Sequence, residues 1–225
     1  MQTMQEGRNS PPLRLDPHTG PADIADWRPA TATGSWLNEF TVLLENRNFN
    51  GRPGYWVATP LLLDPATRTA VLVLRGWLER PILPGSAVPP VQPAPDGTRT
   101  VHGELRRHVP RVFELWTFSG KSASVLPAKL PVAGGALPHV QNLELEAMAR
   151  ACGLKLLPGV LEQTSNAQDG LERDWPQPST DAHKNRGYAL QWFSFAAIAA
   201  GAWLVVAWRA FRRGKRRRID DTPPK

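Results

Sequence analysis

Short apolar and β-branched runs alternate with turn clusters through most of this chain. "TATGSWL" and "FTVLLEN" come first, followed by the turn cluster "NRNFNGRPG". "YWVATPLLL" and "TAVLVLRGW" are the two strongest strand patterns, and the "DPATR" between them has the length and chemistry of a hairpin loop. They predict adjacent antiparallel strands over Tyr55–Leu63 and Thr69–Trp77. "ERPILPGSAVPPVQPAPDGT" is too rich in proline for a central strand and reads as a surface loop. "RTVHGELRR" and "RVFELWTF" resume the strand pattern. Between Val140 and Ala151 the period changes: Leu143, Ala147 and Ala151 recur at helical spacing, with Gly153 placed as a C-cap. "LKLLPGVLEQ" reads as a last strand.

The pattern changes again near the C-terminus. Ala189 to Trp208 carries no charge, and its polar members, Gln191 and Ser194, lie near its start. A helix of that length spans roughly 30 Å, the thickness of a bilayer's hydrocarbon. Tyr188 and Trp192 flank one end and Trp208 the other, where amphipathic rings favour the interface. Arg212, Arg213, Lys215, Arg216, Arg217 and Arg218 follow. The positive-inside bias then places the C-terminus in the cytoplasm and the body outside, in a periplasm or an intermembrane space. Residues 1–35 hold no apolar run of signal length, so either the insertion machinery translocates the body unaided or a transmembrane helix upstream of Met1 is missing from this sequence, and the second is expected.

The fold class is α+β: a β-rich antiparallel extracytoplasmic domain with one main helix, followed by a C-terminal transmembrane helix. Residues 1–29 form an irregular lead-in, 30–165 the domain, 166–187 a polar linker, 188–209 the membrane helix and 210–225 a basic tail.

Charge sharpens this picture. The chain carries a formal +7, but Arg209 to Lys225 hold eight of the basic and two of the acidic residues, so the tail alone is +6. The body is almost neutral, which argues against nucleic acid as a partner. Cys152 is the single cysteine, so no intrachain disulfide forms, and its apolar helical setting fits a buried hydrophobe. Gly120-Lys121-Ser122 mimics the end of a phosphate loop, but Leu115 stands where the first glycine belongs. His102 and His108 are too far apart on a strand to share a metal unaided. No catalytic or metal-ligating set is assigned, no enzyme is expected, and a membrane-tethered hydrolase lacks a visible nucleophile.

"NRNFNGRPGYWVATPLLL", "VLVLRGW" and "RGYALQWF", in that order before a terminal apolar helix, resemble the Surfeit locus protein 1 family of cytochrome c oxidase assembly factors. The match covers roughly Trp27 to Arg213. The resemblance implies membrane-anchored assembly work in an inner membrane: supply or insertion of haem a, with the oxidase's catalytic subunit and haem a biosynthesis proteins as partners. Haem a would be held transiently. Two readings of the motifs stay open. Gly51, Gly54 and Gly76 serve turns or close packing while Tyr55, Trp56 and Trp77 form core. Or Arg52, Tyr55, Arg75 and Trp77 face a partner, with Arg52 and Arg75 available to carboxylates or haem propionates. Many family members place a His two residues before the "GYALQWF"-like motif. Here that position is Asn185, and His183 lies two residues earlier. The resemblance therefore points to His183, Arg186, Tyr188 and Trp192 around a haem, the other reading of His183 being a solvated linker residue. The alternative function is a β-rich membrane-tethered module for an unrelated partner.

Overall fold

A computed structural model of the protein describes residues 2–81, 88–112, 125–177 and 182–220. It divides into two units, Met1–Pro176 and Gln177–Lys225.

The first unit is built on a closed five-stranded barrel. Strands β1 (Leu13–Leu15), β2 (Pro29–Trp36), β3 (Val42–Leu44), β4 (Gly54–Asp64), β5 (Thr69–Glu79), β6 (Thr98–Arg106), β7 (His139–Val140) and β8 (Lys155–Gln163) belong to one sheet. The ring runs β2-β6-β8-β5-β4 and closes where Ser35 and Trp36 pair with Leu62 and Leu61. The predicted hairpin is present: β4 and β5 pair antiparallel from Gly54–Glu79 to Asp64–Thr69. The Asp64 carboxylate holds its turn by accepting the Ala66 N–H at 2.9 Å.

The sheet is not uniformly antiparallel as expected. β8 runs parallel to β5, β1 to β2 and β7 to β3. A parallel neighbour needs a return across the sheet, and between β5 and β8 the chain makes it along β6, which is antiparallel to β8; the long segment after β6, including α2 (Leu145–Cys152), then leads into β8. This helix starts five residues later than its periodicity predicts. Val140 is taken by pairing with Leu44, and the Asn142 side chain brackets Val112, accepting its N–H at 2.9 Å and donating to its carbonyl at 3.0 Å. Its end is as predicted, with Gly153 in the left-handed region at φ 64°. The lead-in is also more regular than expected, with α1 (Gln2–Arg8) and β1 within it. Of the expected strand "RVFELWTF", residues 113–118 lie outside the described residues, as does the Gly120-Lys121-Ser122 turn.

Two residues show how β4 accommodates its neighbours. Its outer edge pairs with β3 through Trp56–Ala58 and with β2 through Leu61–Leu62. Pro60 sits at the changeover, where its carbonyl accepts the Leu37 N–H at 3.0 Å. A strand residue's N–H and C=O point the same way, so proline's missing donor falls in the gap between two partners. On β5, Leu74 pairs with Ala58 and Gly76 with Val57, which leaves Arg75 as the extra residue of a bulge.

Alternation then sorts the core. Ala30, Ala32, Leu61, Val73, Val101 and Leu161 fill the barrel interior. Leu72, Leu74, Trp56 and Ala58 face outward and are covered by Met148, Ala151 and Cys152 of α2. The bulge shifts the alternation by one, so Trp77 joins Leu72 and Leu74 on the outer face. Cys152 is buried, and burial pushes its thiol up to about 12. In the folded protein it is expected to resist iodoacetamide at pH 8 and to be modified only after denaturation, as mass spectrometry would read. From pH 9 toward 12 the unfolded chain ionises the thiol while the folded chain does not, so stability falls across that window.

The folded unit does not stop at residue 165. Leu171 and Trp175 are buried, Trp175 donates its indole N–H to the Gln163 carbonyl at 2.8 Å, and Glu172 pairs with Trp77 through both backbone groups. The stretch read as the first part of a linker is a packed strap across the barrel.

The second unit contains α3 (Ala182–Asp220). Within it Gly187–Arg209 is, by length and composition, a candidate membrane span. Apart from Val125, every large exposed hydrophobic side chain among the described residues is on α3.

Candidate functional site

Inward-facing positions at one end of the barrel do not close it. Trp36 of β2, Arg75 of β5, Arg99 and Val101 of β6 and Gln163 of β8 line a cleft of about 180 Å³. Ala94 and Asp169 add walls from two loops. The Asn38 side chain fixes the first loop, donating to the Ala94 carbonyl and accepting its N–H, each at 2.9 Å.

Arg75 is the centre of this mouth. Its side chain is 2 % exposed, beside a 10 % exposed Asp169. Nη2 donates to Asp169 Oδ2 at 3.1 Å and to the Gln92 carbonyl at 3.0 Å. Asp169 is shared: Arg173 Nη2 donates to its Oδ1 at 2.7 Å and its Oδ2 at 2.6 Å. Arg173 Nη1 also donates to the Leu171 carbonyl at 3.1 Å. One carboxylate therefore serves two buried guanidinium groups. Burial holds Arg75 below the usual arginine range, opposed by the charge and hydrogen bond of Asp169. The Trp36 ring lies 5.7 Å from the Arg75 guanidinium carbon. Three atoms of this group are buried and have no hydrogen-bond partner: Nε of Arg173, and, on residues that line the cleft, Nη1 of Arg75 and Oε1 of Gln163. Gln163 Nε2 is engaged by the Ser165 carbonyl at 3.1 Å, which fixes its oxygen as the unpaired end.

The other motif residues are placed differently. Arg52 donates to Glu79 at 3.1 Å and Glu172 at 2.8 Å, and its guanidinium lies 4.9 Å from the Trp77 ring centroid. Its carboxylate partners are internal. Tyr55 and Trp77 are 4 % and 3 % exposed, so they are core and not an exposed partner face. Tyr55 packs edge-on against His139, and Trp77 donates its indole N–H to the Arg47 carbonyl at 2.7 Å. The Asn50-Gly51 turn has φ of 48° and 78°, the geometry that two-residue hairpin turns require. Arg47, which no sequence signal distinguished, stacks 4.5 Å from the Trp56 ring, and burial lowers it to about 10. The "NRNFNGRPGYW" block thus ties β3, β4 and β5 together.

Of the residues proposed around a haem, Tyr188 and Trp192 are exposed on α3. The helix is continuous from Ala182, so position 183 lies roughly 200° around the axis from position 185, at about 100° per residue. Position 185 shares a face with Tyr188 and Trp192, and it carries asparagine, a poor iron ligand. Position 186 is closer to the side of 183 than to the side of 192. On a helix that is continuous from Ala182, positions 183 and 186 therefore lie on a different side of the backbone from positions 185, 188 and 192. Among the described residues, no group of three or more His, Cys, Asp or Glu side chains is arranged to hold a metal.

Asp169, Arg173 and Gln163 were not foreseen as site residues. The signal available was "DGLER", which spaces Asp169 and Arg173 four apart around a glycine.

The family model described as the SURF1 family matches residues 1–197. Proteins from Mycobacterium bovis and Mycobacterium tuberculosis, each named as an uncharacterised SURF1-like protein, are 28 % identical over 203 residues. The aligned region covers 90 % of this chain and 68 % of each relative.

Proposed function

The chain belongs to the SURF1 family, and from that premise we propose that it is a membrane-anchored assembly factor for a haem-copper cytochrome c oxidase, assisting supply or insertion of haem a into the catalytic subunit. The observation that carries this reading is the family match over residues 1–197, which takes in the barrel unit and the first part of the candidate span. The apolar stretch Gly187–Arg209 supports an anchor, and the arginines beyond it favour a cytoplasmic C-terminus with the barrel on the other side. The barrel supplies a rigid binding body, and α3 confines it to the membrane where the oxidase's catalytic subunit is built.

The test is genetic and spectroscopic. Membranes from a strain lacking this protein are expected to lose most of their cytochrome c oxidase activity and their a-type haem absorbance. The full chain should restore both, and a version ending at Pro176 should not. His183→Ala is expected to restore them as well as the parent does. Undiminished oxidase in the deletion strain, in a host that depends on haem a, would overturn the reading. Recovery of the tagged protein with an unrelated membrane partner and no oxidase subunit would favour the tethered interaction module instead.

A further inference from the structure

The barrel mouth has no part in that reading. We propose that it is a binding site for a carboxylate bearing an amide N–H on the adjacent carbon, the chemistry shared by a peptide C-terminus and a small N-acylated amino acid. The inference stands on the mouth itself and does not depend on the oxidase.

Charge is the first argument. Arg75 and Arg173 share the single carboxylate of Asp169. Arg99 lines the same cleft and has no acidic partner among the described residues. The mouth therefore carries surplus positive charge, and a guanidinium is suited to a carboxylate oxygen.

The two orphaned atoms of the cleft lining narrow the ligand. Arg75 Nη1 requires an acceptor and Gln163 Oε1 requires a donor. Leaving either unmade in a buried setting is unfavourable, and few native groups are left so. A fully ionised inorganic anion presents only acceptors and would oppose Oε1 with like partial charge. A carboxylate with a neighbouring N–H carries both the acceptor and the donor that these two atoms lack. Size agrees. The cleft of about 180 Å³ is smaller than the roughly 300–1,000 Å³ of sites for drug-sized ligands, so it suits a terminal group. Trp36, Ala94, Pro95 and Val101 give it an apolar wall against which the rest of such a ligand can lie.

The full chain in detergent would be titrated calorimetrically with five probes: N-acetylglycine, acetate, sulfate, a tripeptide with a free C-terminus, and the same tripeptide amidated. N-acetylglycine and the free-acid tripeptide are expected to saturate. Acetate, sulfate and the amidated peptide should each bind at least about tenfold more weakly, the factor typical of losing one charge-assisted hydrogen bond or one matched buried pair. A free-acid tripeptide tighter than N-acetylglycine identifies a peptide terminus as the source; equal affinities identify the small molecule. Gln163→Met should erase the preference for N-acetylglycine over acetate. Arg99→Ala, at an exposed position, should weaken both acids and flatten their salt dependence while leaving the thermal midpoint unchanged. Arg75→Lys should abolish binding, and the other two variants decide the matter if it fails to fold. Equal binding of the acid and amide peptides overturns the proposal, as does sulfate binding as tightly as N-acetylglycine. Absence of saturable binding by any probe, or an unchanged acetate ratio in Gln163→Met, overturns it equally.

Discussion

Asp169→Ala is expected to destabilise the barrel unit by about 3–5 kcal/mol, because removing one partner of a buried ion pair strands the other in low dielectric. Here the stranded groups are two. Arg75 and Arg173 are 2 % and 7 % exposed, and each has Asp169 as its carboxylate partner. The strap would suffer as well, since Asp169 also accepts the Leu171 N–H at 3.3 Å. A loss of that size lowers the thermal midpoint by roughly 10 °C or more in a unit of this length. Circular dichroism of the full chain in detergent, with α3 helicity subtracted, would read it. Asp169→Asn keeps the acceptor oxygen and should fall between the two. A midpoint for Asp169→Ala within about 2 °C of the parent, less than 1 kcal/mol by the same scaling, would mean that water or a shifted side chain compensates the guanidinium groups.

Gly54→Ala is expected to cost about 3 kcal/mol, the upper end for overpacking a well-filled core. A Cβ at Gly54 would overlap Cε2 and Nε1 of the Trp77 indole and press against the Leu78 carbonyl. The indole cannot easily yield. Its N–H is held by the Arg47 carbonyl at 2.7 Å, Phe49 lies against it at 5.2 Å between centroids, and the Arg52 guanidinium covers it. Because the clash is with one ring, Gly54→Ala combined with Trp77→Leu should be less destabilised than the sum of the single changes, as residues in contact are not additive. Strict additivity in urea melts would show that the conflict is with the Leu78 backbone instead.

How much of this could be read from the chain differs from element to element. The β4–β5 hairpin was legible because both its apolar runs and its turn chemistry are local. The Gly153 cap was legible for the same reason. The parallel β5–β8 pairing was not, because it joins Thr69 to Lys155 and no local pattern states which distant strand is a neighbour. The start of α2 was misplaced because Val140, three residues before Leu143, fits the helical pattern but pairs with Leu44, and Asn142 after it is engaged by Val112, contacts that periodicity does not record. The strap was read as linker because "TSNAQDGLERDW" is polar, yet its few apolar members, Leu171 and Trp175, are the ones buried. Arg75 was singled out as a site residue from its motif. Its partner Asp169, 94 positions away, had no signal beyond its spacing from Arg173. Tyr55 and Trp77 were weighed as both core and surface, and burial places them in the core.

The closed ring also governs what an incomplete chain becomes. β8 is the last strand made, yet it lies between β5 and β6. Until Lys155–Gln163 arrives, both of those strands present unpaired N–H and C=O groups, and the crossover has nothing to complete. A premature stop after α2 is therefore not a barrel one strand short. It is an open sheet with two adhesive edges, released without the apolar helix that would have tethered it. A nascent chain that folds before β8 is made would pass through the same state, and β8 lies only shortly before the candidate span at Gly187 in the sequence. Protection of the β5 and β6 edges during that interval falls to whatever chaperone attends the growing chain, which makes biogenesis, more than the finished fold, the stage at which this architecture is vulnerable to aggregation.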